Sequence, residues 1–273
     1  MEKIILVNQA DGLTGRISSI LEAYAVSCIS STELRFTWPG IEINSNNKFY
    51  SIPDKIELLF ASEFFQNRLT NQFLWEKDNY SNYKIFLYKK YGDHYQSKNK
   101  QLHDKINDLI YNDFFSREII NLFNEINKSI VSFGEFDAVH FRCGDVFYGD
   151  YTDNESFISN RTLDYTQVMH ICENVSKANR IFLFGATKQD IDYIAGTTGK
   201  IFTINSLLQN AENINGSVFV ILDAFVASKA KKLFCSNNSH VTRLASILNP
   251  SLNLIKFYIT DAEYLRFLAV SSG

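Results

Sequence analysis

The chain has 273 residues, 45% of them hydrophobic and 21% charged, which is enough for one large domain or two of moderate size with sizeable cores. Its net charge of -3 argues against a general nucleic-acid-binding protein. Neither cysteines nor histidines show the spacing of metal ligands, and no signal peptide or membrane-spanning stretch is recognisable, so we expect a soluble cytoplasmic protein without a bound metal.

The first elements of the chain have the order of a Rossmann-like unit. A short apolar strand is predicted over Lys3–Asn8, and the glycine turn Gly12-Leu13-Thr14-Gly15-Arg16 follows it. Apolar residues at helical spacing come next and predict an amphipathic helix. The segment from Leu34 to about Lys100 gives no clear order of elements, and one long helix is predicted over Leu102–Ile130.

From Phe136 onwards strands and helices alternate regularly. Strands are predicted over Phe136–Phe141, Arg180–Gly185, Lys200–Ile204, Lys232–Cys235 and Leu252–Phe257. Helices are predicted near Leu163–Ala178, Gln189–Ala195, Val218–Ala227, Ser239–Leu248 and Asp261–Val270. This alternation predicts a parallel sheet with helices on both faces. We therefore predict an α/β protein of two Rossmann-like halves, domains 1–130 and 131–273, with the ligand between them. The last helix is a candidate to pack back on the N-terminal domain.

The predicted strand Phe136–Phe141 ends in the pattern H-x-R-x-x-D, formed by His140, Arg142 and Asp145. Ligands of open α/β sheets bind beyond the carboxyl ends of the strands. Residues two apart on a strand share a face, and the guanidinium fork suits phosphate. The pattern predicts an anionic ligand at this strand end. The alternative for His140 is a strand-end histidine whose hydrogen bonds are satisfied within the protein and which binds no ligand.

A second cluster consists of Asp223, in an apolar helical run, and Ser236–Ser239, before a predicted helix. Free backbone N–H groups and the helix dipole make a helix start an anion site. A carboxylate can accept two N–H donors from the Watson–Crick edge of guanine. The alternatives are that Ser236–Ser239 are only cap and turn residues, and that Asp223 is an exposed helix residue.

Several blocks resemble motifs of the α1,2/α1,6/protein O-fucosyltransferase superfamily, most closely the α1,6-fucosyltransferases of the core N-glycan and Nod-factor type. Ala138–Asp145 matches V-H-x-R-R-x-D. Val220–Asp223 through Ala245 matches V-I-L-D…C-x-x-S-S-x-V-x-R-x-A without a gap. Ile181–Thr187 stands where the family has a strand ending in A-T-D-D, and Gly12–Arg16 resembles its G-L-G-N-R turn.

The resemblance implies a two-domain, GT-B-like glycosyltransferase with its active site in the cleft, which transfers fucose from GDP-fucose with inversion and needs no metal or other cofactor. Carried over by position, Arg142 holds the β-phosphate and Asp150 is the catalytic base, with Asp153 and Glu155 as neighbouring alternatives. The donor-binding residues implied are His140 and Asp223 at guanine, Asn238 and Ser239 at phosphate, and Asp145, Ser236, Gly12 and Arg16.

The chain departs from the family pattern at four positions. Cys143 replaces the second arginine of the first motif, Asn238 replaces a serine, and Lys188 and Gln189 replace two acidic residues. These departures leave another donor sugar open. With the resemblance, the sequence predicts an enzyme of bacterial surface polysaccharide or related glycan synthesis. Its partners would be a nucleotide-sugar donor and a glycan or lipid-linked glycan acceptor, with at most peripheral membrane contact and no nucleic acid. The alternatives are the same fold with another nucleotide sugar, or a catalytically silent nucleotide- or sugar-binding module.

Overall fold

The computed structural model describes residues 2–7, 13–38, 56–69, 83–87, 100–141, 163, 165–236 and 239–256. They pack into two units, each assembled from separated segments of the chain. The described residues of the first unit lie within Met1–Gly134, Ile204–Lys229 and His240–Leu252, and those of the second within Glu135–Thr203, Ala230–Ser239 and Asn253–Lys256. The predicted division into domains 1–130 and 131–273 stays a prediction.

Strands and helices alternate through most of the described chain. The strands are β1 (Glu2–Val7), β2 (Glu33–Phe36), β3 (Tyr83–Leu87), β4 (Asp137–His140), β5 (Ile181–Phe184), β6 (Ile201–Phe202), β7 (Lys232–Cys235) and β8 (Asn253–Lys256). The helices are α1 (Leu13–Ser30), α2 (Ser62–Arg68), α3 (Lys100–Leu109), α4 (Arg117–Phe133), α5 (Tyr165–His170), α6 (Lys188–Thr198), α7 (Gly216–Ser228) and α8 (His240–Leu248). None of the helices in the described ranges is both long and apolar enough to cross a membrane. The predicted last helix, Asp261–Val270, lies outside the described residues.

The first unit contains a parallel sheet of three strands in the order β2-β1-β3. The predicted opening strand and the helix after it are confirmed as β1 and α1. The helix differs from its prediction, because α1 buries 13 of its 18 residues rather than one apolar face. It packs against β1 and β2 and also against α3 and α8, so even Arg16 and Glu22 are buried.

The prediction of one long helix over Leu102–Ile130 is wrong, because two helices occupy this stretch. A π-helical turn, Ile110–Phe114, continues α3, and Phe115 is extended at φ -85° and ψ 154°. Ser116 then caps α4: its hydroxyl accepts a hydrogen bond from the Ile119 N–H at 3.4 Å and donates one to the Leu58 carbonyl at 2.9 Å. Apolar side chains recur at helical spacing across the break, so the periodicity does not reveal it. The sequence signal for the start of a new helix was the N-capping serine, Ser116.

The second unit contains a parallel sheet of five strands in the order β6-β5-β4-β7-β8. Numbered within this sheet, the order is 3-2-1-4-5, which is that of the Rossmann fold. The predicted parallel sheet is therefore confirmed. The predicted strand Lys200–Ile204 is shorter than expected, since β6 ends at Phe202 and a 3-10 turn begins at Ile204. All four residues of β4 are buried, as expected of a central parallel strand.

Candidate functional site

The second sheet has a topological switch point between β4 and β7. The chain leaves β4 towards β5 on one side, and β7 pairs with β4 on the other. The register places Val139 opposite Phe234, so His140 ends β4 beside Cys235, and Ser236 follows Cys235 directly. Ligands of doubly wound sheets bind outside the carboxyl ends of the strands at such a point. The fold thus brings two of the predicted site residues, His140 and Ser236, to the place where a ligand is expected.

His140 is held by its neighbours on β5. The side chain is 2% exposed, and its ring stacks on that of Phe184 with centroids 4.8 Å apart and an interplanar angle of 27°. The Phe141 N–H donates to the Phe184 carbonyl at 2.9 Å and ties the ends of the two strands together. Gly185 has φ +78°, and a Cβ there would lie 2.8 Å from two ring atoms of His140. Gly185 therefore leaves the space that the imidazole occupies.

Gly185 is a positioning residue that the sequence did not single out. Its signal was a glycine at the end of the apolar run Ile181–Phe184, where a left-handed backbone or a close approach is common. The residues that follow Gly185 form the start of α6. Thr187 caps α6, accepting from the Asp190 N–H at 3.2 Å, while Asp190 accepts from the Thr187 hydroxyl at 2.6 Å. Lys188 and Gln189 are exposed in the first turn of α6.

We expect Gly185→Ala to destabilise the chain more than Gly199→Ala. Gly199 ends α6 at φ +65°, and a Cβ added there would have no neighbour within 4 Å, so its replacement has only a backbone penalty of about 1–2 kcal/mol. At Gly185 the clash with His140 adds about 1–3 kcal/mol. Urea unfolding of both variants measures this difference, and the NMR signals of His140 should shift in Gly185→Ala alone. Equal losses of stability would show that the close approach is unimportant.

Asp223 lies on α7 in the first unit and is 8% exposed, so the alternative of an exposed helix residue is wrong. Burial raises the pKa of its carboxyl group well above the ordinary value near 3.8. The residues that the structure describes give this carboxyl group no hydrogen bond or ion pair. A buried acid in an apolar helix is costly unless it meets donors, and a ligand with N–H groups would supply them.

Arg16, Ser236 and Ser239 are also buried, at 1%, 4% and 6% exposed. The guanidinium of Arg16 lies 5.3 Å from the centroid of the Trp38 ring, within the first unit. Ser239 immediately precedes α8, as predicted for a helix start. Five predicted site residues lie outside the described ones: Gly12, Arg142, Asp145, Asp150 and Asn238. The same holds for Cys143, Asp153 and Glu155, and the roles of all these residues stay predictions.

Candidate metal ligands do not cluster in the described part of the chain: it contains no group of three or more His, Cys, Asp or Glu side chains placed to hold an ion. The switch point places an imidazole at one strand end and a serine hydroxyl at the next, both of them buried. These groups suit a polar ligand with hydrogen-bonding edges.

The parallel sheets and the Rossmann strand order define an α/β fold that fits the GT-B-like class. The resemblance to fucosyltransferases is confirmed in the fold. Fucosyltransferase NodZ from Bradyrhizobium superposes with a TM-score of 0.54 at 14% identity, covering 94% of this chain and 96% of NodZ. A NodZ α1,6-fucosyltransferase co-crystallised with GDP gives a TM-score of 0.55 at 15% identity, covering 94% and 95%.

A more distant similarity links the chain to a plant enzyme. A variant of Arabidopsis thaliana FUT1 in complex with GDP superposes with a TM-score of 0.50 at 10% identity, covering 96% of this chain and 71% of the plant protein. No protein-family model matches the sequence, and a search of curated proteins finds no match. The similarity is thus one of fold, carried by structure rather than by overall sequence.

Proposed function

We propose that the chain is an inverting, metal-independent glycosyltransferase that transfers fucose from GDP-fucose to a hydroxyl group of a glycan. The observation that carries the proposal is the switch point, where His140 ends β4 and the rest of the H-x-R-x-x-D motif follows in the sequence. The fold supports it, since NodZ has been crystallised with GDP and soaked with GDP-fucose. The acceptor, a glycan or lipid-linked glycan of bacterial surface polysaccharide synthesis, and the cytoplasmic location belong to the same proposal.

In this proposal the base of the donor is recognised by His140 and Asp223. Guanine presents two N–H donors on its Watson–Crick edge, and an ionised Asp223 would accept both. Adenine and uracil do not present this pair. Hydrogen bonds to a charged group contribute about 1.5–3 kcal/mol, so the carboxylate can distinguish the bases by about tenfold or more.

The proposed chemistry needs stabilisation of the leaving group. Departure of GDP places negative charge on the β-phosphate, where Arg142 and the N–H groups at the start of α8, next to Ser239, would act as donors. A carboxylate removes the proton of the acceptor hydroxyl as the new C–O bond forms, which contributes about 10²–10⁴ in rate. Asp150 is the proposed base, with Asp153 and Glu155 as the other candidates.

Calorimetric titration with GDP, UDP and ADP tests the donor base. We expect GDP to bind about tenfold or more tightly than the other two, because only guanine satisfies both oxygens of Asp223. Asp223→Asn should remove the preference, since the amide replaces one acceptor with a donor. Ser217→Ala, on the same helix, is a matched control that should bind GDP as the unmodified chain does. A chain that binds the three nucleotides equally would contradict the proposed donor.

The raised pKa of Asp223 gives the same experiment a pH dependence. GDP binding requires the carboxylate, so affinity should fall as the pH is lowered through the raised pKa, and Asp223→Asn should abolish this trend. In the nucleotide-free chain the folded state holds a proton that the unfolded state releases. The stability from protonated Asp223 is therefore complete below the unfolded pKa near 3.8 and is lost as the pH rises through the folded value.

A second candidate is the same reaction with another nucleotide sugar. It is favoured by Lys188 and Gln189, which replace the two acidic residues that the family has after this strand. Both residues are exposed at the start of α6, near the carboxyl end of β5. Turnover with a panel of GDP-sugars separates the candidates, because a preference for a sugar other than fucose would replace the first proposal while keeping the guanine site.

A further inference from the structure

The amino edge of the five-stranded sheet carries a row of cations. We define this amino edge as Glu135–Asp137, Ser176–Arg180, Lys200 and Lys231–Lys232, the residues that precede or begin β4 to β7. Backbone hydrogen bonds fix their order: the Ile181 N–H donates to Lys200, and the Asp137 N–H donates to Arg180. The Lys231 N–H donates to Phe136. Lys200 and Arg180 therefore lie one strand spacing of about 4.8 Å apart, and Lys231 lies two spacings beyond Arg180, on the far side of β4.

The charges at the amino edge are unbalanced. Its cations are Lys177, Arg180, Lys200, Lys231 and Lys232, while its acids are Glu135 and Asp137. Asp137 is 2% exposed and accepts a hydrogen bond from the Ser176 hydroxyl at 2.7 Å, so it contributes little to the surface. Glu135 pairs with Lys231 at 3.0 Å. Glu173 lies outside the amino edge, four residues before Lys177. Even if it is counted, five cations outnumber three acids, in a chain whose net charge is -3.

A cavity opens in the middle of the amino edge. Its volume is about 240 Å³, and the polar residues that line it are Lys177, Lys231, Lys232 and Asn179 together with the acids Glu135 and Asp137. A water molecule occupies about 30 Å³ in the liquid, so the cavity admits a group as large as a phosphate ester. Asp137 already accepts from the Ser176 hydroxyl, and Glu135 is paired with Lys231. The Lys177 ammonium donates to the neutral Asn174 carbonyl at 2.9 Å, so Lys177 and Lys232 give the lining an excess of positive charge. The cavity and the row of cations are separate observations, and both favour an anionic partner.

We propose that the amino edge is a docking surface for a membrane that contains anionic phospholipids, with a lipid phosphate seated among Lys177, Lys231 and Lys232. Lys177, Arg180 and Lys231 are exposed, and Lys200 and Lys232 are half-buried. Cations along one edge of a sheet can meet a planar array of phosphates together. Clusters of four to eight Lys or Arg residues bind anionic membranes in this way. The net charge of the whole chain disfavours a nucleic acid as the partner.

The amino edge lies opposite the switch point in the same unit. The four residues of β4 separate Asp137 from His140 by about 10 Å, at about 3.3 Å per residue. A membrane bound at the amino edge therefore leaves the carboxyl ends of the strands open. The inference goes beyond the proposed function by assigning a membrane-binding surface away from the switch point, and docking is measurable without donor or acceptor.

Cosedimentation of the full chain with vesicles tests the proposal. We expect binding to vesicles of phosphatidylcholine and phosphatidylglycerol but not to phosphatidylcholine alone, and the binding should weaken with salt. Lys177→Gln combined with Lys232→Gln should lower partitioning by roughly thirtyfold, since each cation contributes about fivefold. Arg117→Gln combined with Lys128→Gln, on α4, removes the same charge elsewhere and should leave partitioning within about twofold of the unmodified chain.

Three results would overturn the docking surface: no binding to the anionic vesicles, equal binding to both kinds of vesicle, or equal losses in the two double variants. Titrating the same proteins with GDP separates the test of membrane docking from the test of the proposed function. Variants that lose vesicle binding but keep GDP affinity would support docking at the amino edge. Failure of the unmodified chain to prefer GDP would contradict the proposed donor without affecting the docking result.

Discussion

Arg142→Ala should lower turnover with GDP-fucose by roughly 10²–10³-fold, the effect of removing one donor from a site where charge develops. Arg142 follows Phe141 directly, and the Phe141 N–H is hydrogen-bonded to the Phe184 carbonyl at 2.9 Å. The end of β4 is therefore anchored at the switch point just before the arginine. Without the guanidinium, the departing β-phosphate loses the cation that we propose compensates its charge. Steady-state kinetics with saturating acceptor measure the loss.

Arg142→Lys is the informative companion variant. It keeps the positive charge but loses the planar fork, so it should recover only part of the rate. Both variants should unfold at the same urea concentration as the unmodified chain, because the arginine is proposed to contact the ligand. Alanine and lysine variants with unchanged turnover would exclude Arg142 from the phosphate site. A loss of stability in parallel with activity would instead assign it to the fold.

Arg243→Met should destabilise the chain by about 3–5 kcal/mol, the usual cost of removing one partner from a buried ion pair. The Arg243 Nη2 atom donates to the Glu22 Oε2 atom at 2.7 Å, and the side chains are 14% and 4% exposed. The pair joins α8 to α1, the helix at the centre of the first unit. Methionine keeps most of the aliphatic stem, so the loss reports on the charge rather than on packing.

A double-mutant cycle with Glu22→Met isolates the ion pair. The double variant should be more stable than the sum of the two single losses predicts, because no buried charge then lacks its partner. Lys231→Met removes the pair with Glu135, whose side chains are 61% and 81% exposed, and should cost less than about 1 kcal/mol. Urea unfolding of the four variants and the unmodified chain measures these differences. A single-variant loss no larger than that of Lys231→Met would show that the Arg243–Glu22 pair does not stabilise the first unit.

The sequence predicts the second sheet well because each of its strands is a short apolar run closed by a polar or glycine signal. The predicted strand Lys232–Cys235 agrees with β7 at both ends. The break at Ser116 was missed because apolar spacing continues through it, so periodicity overrode a single capping residue. The burial of α1 was underestimated for a different reason. Its packing against α8 joins residues more than 200 positions apart, and no local pattern reports such a contact.

The candidate site likewise combines features that local sequence signals predict with features that depend on packing in three dimensions. Strand ends and helix starts are local features, and they placed His140, Ser236 and Ser239 where the structure has them. The burial of Asp223 depends on the surroundings of α7, and the sequence left exposure open. The close approach of Gly185 to His140 joins two strands and became visible only in three dimensions. The loop after β4, with Arg142 and Asp150, is where sequence motif and family resemblance still carry the assignment.

The interleaving of the two units bears on how the chain is made. The first unit begins at β1, but α7 and α8 complete it, and the ring of Phe225 on α7 stacks on Phe123 of α4 at 3.9 Å. Ribosomes release a chain from its amino end, and domains usually fold in that order. Here β1 and α1 are synthesised well before α7 and α8, so the core of the first unit cannot close until the chain has reached Leu248. A nascent chain stalled before residue 240 should therefore be protease-sensitive in β1 and α1.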